Sequence, residues 1–78
     1  MGRELFRMED YRQALLNRIP AGCLIRFSVI RPICAERRLD RVRKFMTLVF
    51  MDQANEVELT QVDNDLQVER YDEIDREG

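Results

Sequence analysis

The residues with the most distinctive chemistry form a basic cluster in the middle of the chain. The cluster consists of Arg37, Arg38, Arg41, Arg43 and Lys44. On a helix, Arg37, Arg41 and Lys44 would share one side, and Arg38 would lie beside them. Guanidinium groups bind phosphate oxygens through paired hydrogen bonds, so such a stripe could contact a nucleic-acid backbone. The alternative is a solvated helix face, which we favour because dedicated nucleic-acid binders usually carry a clear basic excess.

The charge of the chain is unevenly distributed, although its net value is only −2. Residues 26–44 carry a net charge of +5, whereas residues 45–78 carry −8. A basic middle and an acidic end suggest contact between oppositely charged surfaces, within one molecule or between copies. The acidic end could instead present carboxylates to a basic protein partner.

Residue types that support catalysis or metal binding are scarce. The chain has no histidine, which is the commonest general base. Cys23 and Cys34 have neither the spacing of a redox motif nor an adjacent base, and we expect both to be small buried apolar residues. Asp63, Asn64 and Asp65 lack the later ligands of a calcium loop, and a hairpin turn explains them better. The sequence therefore predicts no enzyme activity, no cofactor and no metal site.

The length of 78 residues predicts a single small domain, covering 1–71, followed by a frayed acidic tail at 72–78. Domains of this size are marginally stable alone, and many self-associate. No apolar run approaches the roughly 20 residues of a membrane span. The paucity of cysteine and the lack of a signal-peptide pattern predict a cytoplasmic protein.

Helical periodicity marks the N-terminal segment. Apolar residues in 5–19 are spaced by three and four positions: Leu5, Met8, Tyr11, Leu15 and Ile19. This spacing predicts an amphipathic helix that ends before Pro20. Residues 23–30 are rich in branched and aromatic side chains and are predicted to form a strand.

The segment 33–44 is ambiguous. Leu39 and Val42 fit a short helix with those two side chains facing inward, and an irregular arm is the alternative. We favour the short helix, because a strand would place Leu39 on the same face as Arg41 and Arg43.

The most apolar run, 45–51, is predicted to be the first strand of a β-meander and, because it is apolar on both faces, a central strand of the whole sheet. Asp52-Gln53-Ala54-Asn55 would form a hairpin loop, and Asp63-Asn64 a type I′ turn, giving strands 45–51, 56–62 and 65–71. Both turns place the same apolar set on one face, which supports the pairing. The expected fold class is α+β, with the N-terminal helix packed on an antiparallel sheet of three or four strands. Strand 23–30 is expected beside 45–51.

The second face of this predicted sheet indicates a partner. It would carry the residues Phe45, Val49, Met51, Glu58 and Val62. Each large apolar side chain left exposed forgoes roughly 1.5–3 kcal/mol of burial free energy. Either the segment 33–46 folds back over this face, or a second copy covers it. We therefore expect a small non-enzymatic interaction or regulatory protein that forms a homodimer through its sheet. The alternative is a nucleic-acid-binding protein that uses the basic cluster.

Overall fold

The computed structural model describes residues 7–72 and has an α+β fold. The elements in chain order are helix α1 (Met8–Arg18), strand β1 (Leu24–Arg26), a 3-10 turn (Phe27–Val29), helix α2 (Arg37–Gln53), strand β2 (Val57–Val62) and strand β3 (Asp65–Arg70). The strands form one antiparallel sheet in the order β1-β3-β2. The predicted fold class is confirmed. The predicted helix start at Leu5 and the acidic tail beyond Asp72 lie outside the described residues.

Helix α1 keeps the apolar face that the sequence predicts. Tyr11, Leu15 and Ile19 are all buried. The last carbonyl oxygens of a helix have no partner within the helix itself. Here Arg70 of β3 satisfies two of them, because its Nη1 donates to the carbonyls of Leu16 at 2.9 Å and Ile19 at 2.8 Å. This side chain ties the end of α1 to the sheet.

The prediction of a strand at 45–51 is wrong, since these residues form the second half of α2. The helix predicted within 33–44 exists, and it continues without interruption to Gln53. It begins after Glu36, whose side chain accepts a hydrogen bond from the backbone N–H of Leu39 at 3.0 Å. No glycine or proline separates the two segments, and a seven-residue apolar run fits either period.

The segment predicted as the first hairpin loop is the end of α2. Asn55 adopts a left-handed conformation with φ 64°, and its N–H donates to the carbonyl of Asp52 at 3.0 Å. The next N–H, from Glu56, donates to the carbonyl of Met51 at 2.8 Å. These two bonds are the Schellman pattern that ends many helices, in which asparagine sometimes replaces glycine.

The second predicted hairpin, β2–β3, is confirmed in its register. The partners are Val57 with Arg70, Glu58 with Glu69, Leu59 with Val68 and Gln61 with Leu66. The turn residues are those predicted, Asp63 and Asn64. Only Asp63 has a positive φ, 57°, whereas a type I′ turn requires a positive φ at both central residues, so the predicted turn type is wrong.

Strand β1 is shorter than the predicted 23–30 and has a different neighbour. It pairs with β3, with Ile25 opposite Val68, and not with residues 45–51. Strand β3 is therefore the central strand. After Arg26 the strand ends in the 3-10 turn, which remains in contact with β3 because the Ser28 hydroxyl donates to Asp65.

The core lies between the helices and one face of the sheet. Its buried apolar side chains form one cluster: Leu15, Ile19, Ile30, Leu48, Met51, Val57 and Val68. The cluster draws on both α-helices and on β2 and β3, and the partly buried Ile25 of β1 and Phe27 of the 3-10 turn pack against it. Among residues 7–72, no helix is long and apolar enough to cross a membrane.

Candidate functional site

Helix α2 carries apolar residues on two opposite faces. Its inward face includes the fully buried Thr47, Leu48 and Met51. The outward face of α2, as we call it, consists of Leu39, Val42, Phe45, Met46, Val49 and Phe50. Five of these six are among the exposed large apolar residues: Leu39 40%, Val42 55%, Phe45 48%, Met46 42% and Phe50 50%. At 3.6 residues per turn, the six positions fall within an arc of about 140°.

The outward face of α2 is too apolar to be an ordinary solvated helix surface. From the exposed fractions, its side chains present roughly 500 Å² of accessible surface, which is in the range of functional patches on small proteins. Leu39, Val42, Met46 and Val49 alternate by three and four positions. That alternation is the pattern of helix–helix seams, in which such side chains pack against another helix. The surface is therefore suited to docking a second apolar element.

The structure does not bring the five predicted interface residues together. Phe45 and Val49 lie on the outward face of α2. Met51 is completely buried in the core, so its assignment to an interface is wrong. Glu58 and Val62 alternate with the core residues of β2 and lie on the outer face of the sheet, where the Tyr71 hydroxyl donates to Glu58 at 3.3 Å.

One residue of the predicted basic cluster, Lys44, is part of a buried ion pair. Lys44 is 4% exposed, and its Nζ lies 3.0 Å from Oδ2 of Asp40, which is 2% exposed. The same Nζ donates to the carbonyl oxygen of Ile30 at 3.1 Å and lies 5.5 Å from the centre of the Phe27 ring. Lys44 is therefore an internal residue, and it cannot serve as a surface contact for phosphate as the sequence predicted.

Asp40 connects the loop before α2 to the helix through hydrogen bonds. Its Oδ1 accepts hydrogen bonds from the backbone N–H groups of Ile33 at 2.7 Å and Cys34 at 2.9 Å, and from the Tyr11 hydroxyl at 3.3 Å. Burial by itself raises the pKa of this carboxyl. The hydrogen bonds from Cys34 and Ile33 and the charge of Lys44 outweigh burial, so the net pKa lies below its usual value. Asp40 is ionised in the folded protein at neutral pH.

Three arginines of the basic cluster remain on the surface. Arg37, Arg38 and Arg41 are exposed, and their guanidinium groups have no hydrogen-bond or ion-pair partner within residues 7–72. Arg43 is half-buried and interacts with the Tyr11 hydroxyl, which places it apart from the other three.

The three surface arginines line a cleft of ≈ 740 Å³ between the start of α2, the 3-10 turn and the β2–β3 turn. The opposite wall contains the side chains of Asp63, Asn64 and Asp65. Asp65 is held there by the Ser28 hydroxyl, which donates to it at 2.6 Å. Carboxylates facing the arginines weaken the attraction of this cleft for anions.

The two cysteine thiols are free. Cys23 is exposed, which contradicts the prediction that it is a buried apolar residue, and Cys34 is partly exposed. The Cys34 thiol lies 3.5 Å from the carbonyl oxygen of Glu36, at the start of α2.

Sequence reasoning missed four members of the outward face of α2. Leu39 and Val42 were expected to face inward, and Met46 and Phe50 were assigned to the buried face of a strand. The signal that could have found them was the pair Asp40 and Lys44, four residues apart on one helical face together with Leu48 and Met51. Placing that face inward puts the other apolar residues of the segment outward.

No protein-family model matches this chain, and no curated protein or solved structure is significantly similar to it.

Proposed function

We propose that this chain is a small non-enzymatic interaction protein whose docking surface is the outward face of α2. The observation that carries the proposal is that the core is complete without these six side chains. Leu48 and Met51 already fill the inward side of the helix, and both are fully buried. An apolar face that contributes little to the fold is retained most simply because another molecule covers it.

The proposal moves the self-association surface from the sheet to α2. The outer face of the sheet carries Glu58 directly opposite Glu69 and is therefore polar at its centre. Two carboxylates in register repel each other and are strongly hydrated, which disfavours burial of this face. The six apolar residues of the outward face of α2 include no such pair of carboxylates.

Two valine variants distinguish the outward face of α2 from another exposed part of the surface. Val42→Asp is expected to lower the amount of bound partner at least tenfold, because an interfacial carboxylate would be buried without a partner. Val29→Asp is the matched control, since Val29 is 64% exposed but lies in the 3-10 turn, beside Asn17 and Arg18 at the end of α1 and not on α2. Each immobilised variant would be incubated with extract of the native host. Retained proteins, including this chain itself, would then be quantified by mass spectrometry.

Circular dichroism would first establish that both variants are folded. Equal retention of every bound protein by Val42→Asp and Val29→Asp would contradict the proposed docking surface. Loss of binding by Val29→Asp alone would place the surface elsewhere.

Nucleic-acid binding is the second candidate, and it is favoured by the three surface arginines at one cleft. It predicts a gel shift of single- or double-stranded oligonucleotides that weakens steeply as salt increases. Arg37→Glu combined with Arg41→Glu would abolish that shift. Arg7→Glu combined with Arg31→Glu is the control with the same change in charge, since both residues are exposed outside the cleft. The absence of a shift at low salt would remove this candidate.

A further inference from the structure

One occupant fits both the shape and the charges of the outward face of α2. We infer that this face docks against the same face of a second copy, with the two α2 helices antiparallel about a two-fold axis. In this arrangement, Asp52 of each copy lies between Arg38 and Arg41 of the other. The inference rests on the proposed function and names its partner.

One edge of the outward face carries charges of both signs. At 100° per residue, Arg38, Arg41 and Asp52 fall on the same edge of the helix, beside Phe45. Both arginines are in the N-terminal half of α2, and the aspartate is in its last turn. The charge along this edge is therefore positive towards the N-terminus of α2 and negative at its C-terminus.

A two-fold axis between antiparallel helices brings this edge against itself in the reversed direction. If the axis passes between positions 45 and 46, position 52 of one copy lies opposite position 39 of the other. Asp52 then falls between the second copy's Arg38 and Arg41, and symmetry creates this contact twice. In a parallel pair the two-fold axis would run along the helices, and this edge would meet the opposite edge of the other helix. Asp52 would then lie beside Phe50 and Arg41 beside Arg43, so neither charge would be neutralised.

The apolar side chains follow the same symmetry. With the axis between positions 45 and 46, Phe45 packs against Met46 of the second copy, and Val42 packs against Val49. Two faces of roughly 500 Å² each would together remove about 1,000 Å² from solvent, which is near the lower limit for a specific interface. An interface of this size is weak enough for the flanking charges to select the orientation.

Two of the three surface arginines support self-association over a nucleic-acid partner at this face. Arg38 and Arg41 have no ion-pair partner among the described residues, and a second copy supplies one for both. Phosphates would leave the apolar seam between Leu39 and Phe50 uncovered. A second copy covers both features at once.

The test is sedimentation equilibrium of purified wild type and charge variants. Wild type is expected to be a dimer whose dissociation constant rises roughly tenfold in Asp52→Arg, because each substituted side chain then faces two arginines. Arginine near a helix C-terminus is favourable to the helix dipole, so this variant should remain folded. Glu58→Arg is the control with the same change in charge on the sheet face, and it is expected to dimerise like wild type.

A triple variant tests the orientation. Arg38→Glu, Arg41→Glu and Asp52→Arg together exchange the charges, and antiparallel pairing predicts that dimerisation returns to within about threefold of wild type. A parallel dimer would be little affected by Asp52→Arg, because position 52 would lie beside Phe50 of the other copy and more than two helical turns from Arg38 and Arg41. A wild-type dimer that is insensitive to Asp52→Arg therefore overturns the antiparallel register.

Wild type that is monomeric at all concentrations overturns the inference as a whole. The proposed function is tested separately by extract binding. A different protein retained by Val29→Asp and lost from Val42→Asp would leave the docking surface standing with another occupant. A dimer that Val42→Asp does not disrupt would contradict the inference, and equal retention of every bound protein by Val42→Asp and Val29→Asp would contradict the proposed function.

Discussion

Replacing Asp40 with alanine is expected to lower the free energy of unfolding by about 3–5 kcal/mol, the usual effect of removing one partner from a buried ion pair. The substitution leaves the ammonium group of Lys44 buried beside Phe27 without its carboxylate. It also leaves the backbone N–H groups of Ile33 and Cys34 without their acceptor. Urea unfolding followed by circular dichroism would measure the change.

The double variant Asp40→Ala with Lys44→Met identifies the source of this effect. It removes more polar contacts than Asp40→Ala alone but leaves no buried charge, so it is expected to be the more stable of the two. If the double variant is the less stable one, Lys44 is stabilised mainly by the Ile30 carbonyl and not by the carboxylate.

The pH dependence of stability follows from the same carboxyl group. The pKa of Asp40 is lower in the folded protein than in the unfolded chain, so its contribution is fully present above about pH 4. That contribution is lost as the pH falls through the folded pKa. Asp40→Asn should therefore show a flatter loss of stability in acid than wild type. If Asp40→Asn loses stability in acid as steeply as wild type, other carboxyl groups dominate the acid unfolding of this protein.

Met51→Ala is expected to have the second largest effect, a loss of about 2–5 kcal/mol of unfolding free energy. Met51 is fully buried against the core cluster, and truncation would leave a cavity there. Met46→Ala is the matched control, because Met46 belongs to the same helix but is 42% exposed. The control should lose about 0.5 kcal/mol or less in the monomer.

The two methionine variants also separate folding from docking. Met46→Ala is expected to weaken self-association while leaving the monomer stable, whereas Met51→Ala should destabilise the fold. Equal losses of stability from both substitutions, measured at concentrations where wild type is monomeric, would contradict the assignment of two distinct faces to α2.

The hairpin and the first helix are the parts of this fold that could be predicted from sequence, and the reason is local. Leu59 opposite Val68 follows from a two-residue turn at Asp63-Asn64 together with strict alternation of side chains. In α1, Tyr11, Leu15 and Ile19 share one helical face and are separated from polar residues on the other. In each of these elements the spacing of the apolar residues fits only one secondary structure: the two-residue period of a strand in the hairpin, and the 3.6-residue period of a helix in α1.

The run 45–51 could not be assigned in the same way. Seven consecutive residues of low polarity satisfy the strand period and the helix period equally well. Its conformation is decided by contacts distant in sequence. Leu48 packs with Leu15 of α1 and Val57 of β2 in one cluster, and the buried pair Asp40–Lys44 fixes which side of the preceding turns faces inward.

For the candidate site too, the sequence determined some features and only the tertiary structure determined the others. The sequence alone determined that this chain has more large apolar side chains near Phe45 and Val49 than one sheet face and one helix could cover. It also determined that a basic segment precedes an acidic one. Only the tertiary structure decided which residues remain outside: it buried Met51 and Lys44 and exposed Leu39 and Val42. The physical reason is that a helix that packs on one side only must leave its other side to solvent or to a partner.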